Sequence, residues 1–180
     1  EGEVSTFEGI AHLDLDTIDP NLVKIAAVSV DSGNSSLRCL DKALDLSKQK
    51  LVDGILFAPF NKAAMTAAGL NAEDEHRYIA RYLNFKGYHS EINVLDELMT
   101  TRVTSHIGLK EVAQNITKGG LERAVNLAYE TLCKAGNKRP HVAVAALNPH
   151  AGDNGKFGRE EIDLIEPVIE SFKLKQMNVS

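Results

Sequence analysis

The sequence predicts an α/β chain with a largely parallel sheet and flanking helices. Short apolar runs, KIAAVSVD (24–31), ILFAPF (55–60) and HVAVAAL (141–147), alternate with longer amphipathic stretches. That is the pattern of strands joined by helical crossovers. Glycines and helix-capping residues mark most of the joints. A chain of 180 residues, 43% of them hydrophobic and 25% charged, suits one ordinary globular domain that buries its core without disulfides.

Residues 1–23 are polar and weakly patterned and read as an arm or one or two edge strands; the α/β region spans 24–180. After the strand at 24–31, Ser32-Gly33-Asn34-Ser35-Ser36 supplies turn and N-cap chemistry. Leu37, Leu40, Ala43 and Leu44 then recur at helical spacing. Asp53-Gly54 precedes ILFAPF, a wholly apolar strand, and NKAAMTAAGL is a short helix stopped by Gly69. EDEHRYIARYLNFKG (73–87) predicts a helix ending at Gly87, and INVLDEL and RVTSHI predict extended segments. GLKEVAQNI and the stretch 117–136 are two more helices, the second ending at Gly136. HVAVAAL is a strand, and the final helix, REEIDLIEPVIESFKLK, carries Pro167, which predicts a kink near Glu166.

The net charge of −5 and pI of about 5.7 give no global attraction to nucleic acid or an anionic membrane. Lys134, Lys138 and Arg139 read as a solvated helix end and loop. Cys39 and Cys133 form no Cys-x-x-Cys pair, and both read as small buried hydrophobes in a reducing compartment. No apolar run approaches a membrane span, and the opening EGEVSTFEGI is acidic, unlike a signal peptide. A cytoplasmic protein is the expectation.

In ligand-binding α/β folds the chemistry gathers at the carboxyl ends of strands. His150, Lys62 and His106 all stand at or just past a predicted strand end. Pro149 constrains the backbone entering His150, and Gly152, Gly155 and Gly158 permit close approach of a ligand. Imidazole serves both as a metal ligand and as an acid or base near pH 7, but a loop histidine can equally be a surface residue. His106, in VTSHIGL, can be a hydrogen-bonded boundary residue, and no local spacing links it to His150. Lys62 opens a short helix, where lysine and helix dipole together favour an anion. A solvated lysine fits that position equally well. His76 reads as solvated, and Glu73-Asp74-Glu75 as a complement to the helix dipole. No Walker loop, Gly-x-Gly-x-x-Gly or Gly-x-Ser-x-Gly appears.

Taken together, ILFAPFNKAAMTAAGL, VTSHIGLKEVAQNIT and VAVAALNPHAGDNGKFGREEIDLIEPVIE resemble the 4-hydroxythreonine-4-phosphate dehydrogenase family of vitamin B6 biosynthesis. The resemblance extends to its paralogues acting on threonate or erythronate 4-phosphate, and runs from about Lys24 to the end. It implies a fold similar to isocitrate and isopropylmalate dehydrogenases, with two α/β domains around a cleft and a homodimer. It further implies NAD bound without a Rossmann fingerprint, and oxidation of a secondary alcohol followed by decarboxylation. The implied metal is divalent, zinc first, with magnesium or cobalt as alternatives, held by three histidines at a site shared between subunits. The Thr-x-His and Asn-Pro-His elements map onto His106 and His150, which become two of those ligands.

Two departures follow. The family's third histidine lies in a Tyr-His-Asp-Gln-Gly element that this chain lacks, and its opening strand and helices are also missing. The chain therefore resembles a central fragment, without the N- and C-terminal parts of the two-domain fold, and inactive in isolation. The family's Gly-His-Thr-Glu substrate element falls where this chain has Asp74-Glu75-His76-Arg77, which favours a paralogue's substrate. The leading reading is an NAD- and metal-dependent dehydrogenase of a phosphorylated hydroxy acid. It gives His106 and His150 to the metal, Lys62 to catalysis on the substrate side beside Asn148, and Glu75 and His76 to the substrate. The alternatives are a non-catalytic dimerisation or binding module that keeps the fold, and a metal-dependent hydrolase or lyase.

Overall fold

The computed structural model describes residues 3–7, 9–72 and 74–180, with the backbone alone at 3–7. Glu73, the first residue of the expected 73–87 helix, and residues 1, 2 and 8 of the expected arm lie outside the described residues. The chain divides into two compact units, Glu1–Lys86 and Gly87–Ser180. The division falls inside the 24–180 stretch that the sequence reads as one region.

The first unit opens with an antiparallel hairpin, β1 (Glu3–Phe7) and β2 (Ile10–Asp14), in register from Glu3 opposite Asp14 to Phe7 opposite Ile10. Helix α1 (Val30–Lys48) follows and begins well before the sequence places it. Ser29 is its N-cap, its hydroxyl accepting from the Ser32 amide at 3.1 Å, and Asp31 complements the first turn. The Ser-Gly-Asn-Ser-Ser stretch is thus helix rather than turn, for a packing reason. A Cβ on Gly33 would lie 2.0 Å from the carbonyl oxygen of Ala64, so glycine lets α1 press against the backbone of α2 (Lys62–Ala67).

Helix α2 is capped by Asn61 and followed by Gly69 at φ +96°, as its sequence predicts. Helix α3 (Glu75–Tyr82) stops short of Gly87. Asn84 takes the left-handed conformation (φ 54°), with Phe85 N–H donating to Ala80 O at 2.8 Å and Asn84 N–H to Arg81 O at 3.0 Å. This is a Schellman closure built on asparagine instead of glycine. The core of the unit is Leu40, Leu44, Met65 and Leu70, with Tyr78, Ile79 and Tyr82 packed on it. Two rungs latch α3 to α1: Tyr78 Oη donates to Asp41 at 2.6 Å and Tyr82 Oη to Asp45 at 3.1 Å. Cys39 is exposed, since the buried stripe of α1 runs through Gly33, Leu40 and Leu44; Cys133 is exposed too, correcting the expectation of buried thiols.

The second unit holds a hairpin, β3 (Asn93–Leu95) with β4 (Leu98–Thr100), which the sequence reads as one extended segment. Then come a 3₁₀ turn at Leu109–Glu111, α4 (Val112–Asn115) and the long α5 (Lys118–Lys134), capped by Thr117 and followed by Gly136 at φ +92°. A π turn at Glu161–Ile165 precedes α6 (Glu166–Leu174), with Pro167 in the first turn of α6. The expected break near Glu166 takes this form because proline lacks an amide hydrogen to continue an α ladder. Leu121, Val125, Ile165, Val168, Phe172 and Val179 make the core.

Among the described residues the hydrogen-bonded sheet is small. Val142 pairs in parallel with Val179, through Val142 N–H to Asn178 O (3.1 Å), Ser180 N–H to Val142 O (3.0 Å) and Val144 N–H to Ser180 O (2.7 Å). The segments 24–29 and 55–60 carry no ladder, and the second is not the buried strand expected: Leu56 is 100% exposed. A parallel strand needs a neighbour delivered by a crossover, and no described residue lies in ladder contact with these two segments. No helix among the described residues is long and apolar enough to cross a membrane.

Candidate functional site

In the first unit, Lys62, Glu75 and His76 stand on the first turns of α2 and α3. The Asn61 side chain accepts from the Ala64 amide at 3.0 Å, which fixes the helix start that carries Lys62. Lys62 Nζ lies 3.4 Å from Glu75 Oε2, with the lysine side chain 57% exposed and the glutamate largely covered. The lysine that sequence alone offers to an anion is therefore matched to a carboxylate of its own unit. A substrate anion would compete with Glu75 for it. His76 is half-buried, with Nδ1 3.1 Å from Asp74 Oδ1.

Asp74, absent from the sequence-derived candidates, is 1% exposed. It caps α3 by accepting from the Arg77 amide at 2.9 Å, and its other oxygen lies 3.9 Å from Arg77 Nε. One carboxylate thus serves the helix start, the imidazole and the guanidinium. The aspartate-then-helix pattern does signal a cap, but the burial comes from packing and has no local signature. On the same helix, burial and then the Asp41 hydrogen bond push the Tyr78 hydroxyl above its ordinary range. Tyr82 moves the same way, by burial first and Asp45 second.

In the second unit His106 is exposed, with Nδ1 3.0 Å from Ser105 Oγ. Its backbone has φ 57°, a left-handed conformation that costs an L-residue roughly 1–2 kcal/mol. Strain of this kind is concentrated at binding and catalytic positions. Nothing in VTSHIGL announces it. His150 is exposed as well, its ring centroid 6.0 Å from that of Phe157. Its amide donates to Asn148 Oδ1 at 3.0 Å, and the Gly152 amide reaches the same oxygen at 3.4 Å. That oxygen of Asn148, a residue expected to line the substrate side, is thus committed to building the loop.

A catalytic zinc takes three protein ligands and leaves one position open. His106 and His150 are suited in kind, as imidazoles on exposed loops of one unit. Among the described residues no three His, Cys, Asp or Glu side chains gather as a metal-holding group, so the donor set falls short in number.

The profile of the family described as "Pyridoxal phosphate biosynthetic protein PdxA" matches residues 3–180. A Pseudomonas aeruginosa protein named "Putative 4-hydroxythreonine-4-phosphate dehydrogenase 2" is 43% identical over 142 residues, which cover 79% of this chain and 42% of that protein. D-threonate 4-phosphate dehydrogenase of Pectobacterium atrosepticum is 33% identical over 161 residues, or 89% of this chain and 49% of its own. The crystal structure of 4-hydroxythreonine-4-phosphate dehydrogenase from Klebsiella pneumoniae superposes with a TM-score of 0.82 at 29% identity, covering 93% of this chain and 50% of that one. The α/β class is that of these structures. The chain spans about half the length of the curated relatives it matches.

Proposed function

This chain belongs to the PdxA family, and from that premise we propose that its protein is an NAD-dependent, divalent-metal-requiring dehydrogenase. Its substrate would be a phosphorylated four-carbon hydroxy acid, oxidised at a secondary alcohol and then decarboxylated. The observation that carries the reading is the family match over residues 3–180. The relatives divide between names that specify 4-hydroxythreonine 4-phosphate and D-threonate 4-phosphate. Both names describe one chemical class.

In this reading His106 and His150 hold the metal, zinc first, with a third donor completing a site shared between the subunits of a homodimer. When bound, such a cation supplies Lewis-acid polarisation of the reacting oxygen. Lys62 serves the substrate side by orienting an anionic group that displaces Glu75. Glu75 and His76 border the substrate, and Asn148 presents the His150 loop to it. The protein is cytoplasmic in this reading, with no nucleic-acid or membrane partner.

The test is NAD reduction by the intact protein with each of the two phosphorylated acids, beside zinc titration by calorimetry. His106→Ala and His150→Ala should each abolish tight zinc binding and lower kcat/KM by more than about a hundredfold. Product formed with no change in NAD would overturn the dehydrogenase assignment in favour of a hydrolase or lyase. Zinc binding indifferent to both substitutions would remove these histidines from the metal.

A further inference from the structure

The loop that bears His150 is conformationally expensive. Ala151, Gly152, Asp153, Asn154 and Gly155 all have positive φ, and three of these five are not glycine: Ala151 at 47°, Asp153 at 44° and Asn154 at 54°. L-residues resist that region, so contacts elsewhere must hold the path. Asn148 Oδ1 does part of this locally. The rest comes from Glu161, three residues beyond Gly158.

Glu161 is 5% exposed, the one buried carboxylate of the second unit among the described residues. Its Oε1 accepts the Leu147 amide at 3.0 Å, at the point where the chain leaves HVAVAAL and turns into Asn148-Pro149-His150. Its Oε2 lies against Gly152, where an added Cβ would meet it at 3.0 Å and the Gly158 carbonyl oxygen at 2.8 Å. That second oxygen has no hydrogen-bond partner among the described residues. A buried carboxylate only half satisfied is a cost to the fold. Glu161 opens the π turn whose last residue, Ile165, is buried with Val168 and Phe172 in the core. Its backbone is therefore anchored while its carboxylate grips the loop on both sides of His150.

We propose that Glu161 is the positioning residue for His150: through the Leu147 amide and the contact with Gly152, it fixes where the loop presents the imidazole. The proposal rests on the metal-ligand reading of His150 only for its zinc measurement.

The experiment uses the intact protein with Glu161→Ala, Glu161→Gln and Glu161→Asp, and His150→Ala as a control. It measures amide hydrogen exchange across 147–158 and zinc affinity by calorimetry. Glu161→Ala should speed exchange at Leu147 and through the loop, and weaken zinc by about 10–100-fold, with α5 and α6 still protected. Glu161→Gln keeps a carbonyl acceptor for Leu147 and should stay close to the unsubstituted protein. Glu161→Asp, shorter by one methylene, should loosen the loop although it keeps the charge; these two variants carry the test if the alanine variant does not fold.

Unchanged loop exchange and zinc affinity in Glu161→Ala would overturn the proposal. So would a glutamine variant more damaged than the aspartate. If His150→Ala leaves zinc binding intact while Glu161→Ala loosens the loop, the ligand reading fails and the positioning role stands.

Discussion

Lys62, Glu75 and His76 stand on first turns of helices, whereas His150 stands on a loop with a run of left-handed residues. The helix starts are fixed by their own neighbours: Asn61 caps one by accepting from the amide three residues on, and Asp74 caps the other in the same way. The loop depends on Glu161, 14 residues from the amide it holds. A group on a capped helix needs only local sequence to be placed. A group on a strained loop needs a distant residue in the right orientation, and damage there travels further. The difference says where substitutions will be tolerated and where they will not.

Gly33→Ala should cost the protein most, since it attacks the helix-borne segment from beneath. The added methyl would meet the Ala64 carbonyl at 2.0 Å, so α1 and α2 must part. A loss of about 3 kcal/mol in denaturant unfolding is expected, and a loss below about 1 kcal/mol would mean that the approach is not rigid. Asp74→Ala removes the cap of α3 and should cost about 1 kcal/mol. Asp74→Asn, which keeps a capping oxygen, should recover most of it in the same assay.

The smallest effect is one of pH. The folded state holds the Tyr78 proton more tightly than the ordinary value of 10.0, because of burial and then Asp41. The stability this contributes is full below pH of about 10 and declines as pH rises beyond it. Tyr78→Phe should flatten the alkaline fall in the unfolding midpoint without abolishing it, since Tyr82 is shifted in the same direction. An identical alkaline slope in both proteins would separate Tyr78 from that fall.

Capping chemistry was the most legible part of the fold. Asn61 and Gly69 bound α2, Thr117 and Gly136 bound α5, and Pro167 marked the break before α6. Gly33 misled because its role is a close approach between helices, while its serine-rich neighbours look like a turn. Gly87 misled because Asn84 had already closed α3. The apolar run at 55–60 predicted burial from composition, but burial depends on what lies alongside.

For the candidate site, the two histidines could be singled out from loop position and motif. The left-handed backbone of His106, the pairing of Lys62 with Glu75, and the buried carboxylates of Asp74 and Glu161 could not. Those are relations between segments, and acidic residues in REEID or EDEH look like solvent-facing charge until packing turns them inward.

The π turn at Glu161–Ile165 has a consequence for how this sequence can change length. A π turn carries one residue more than α-helical winding needs over the same path. Glu161 is thus out of phase with the α6 frame that Val168 and Phe172 anchor in the core. Deleting a single residue between 162 and 165 would restore α winding and swing Glu161 by about 100°, away from Leu147 and Gly152. A one-residue deletion there would act as a phase error, disconnecting the loop from the core.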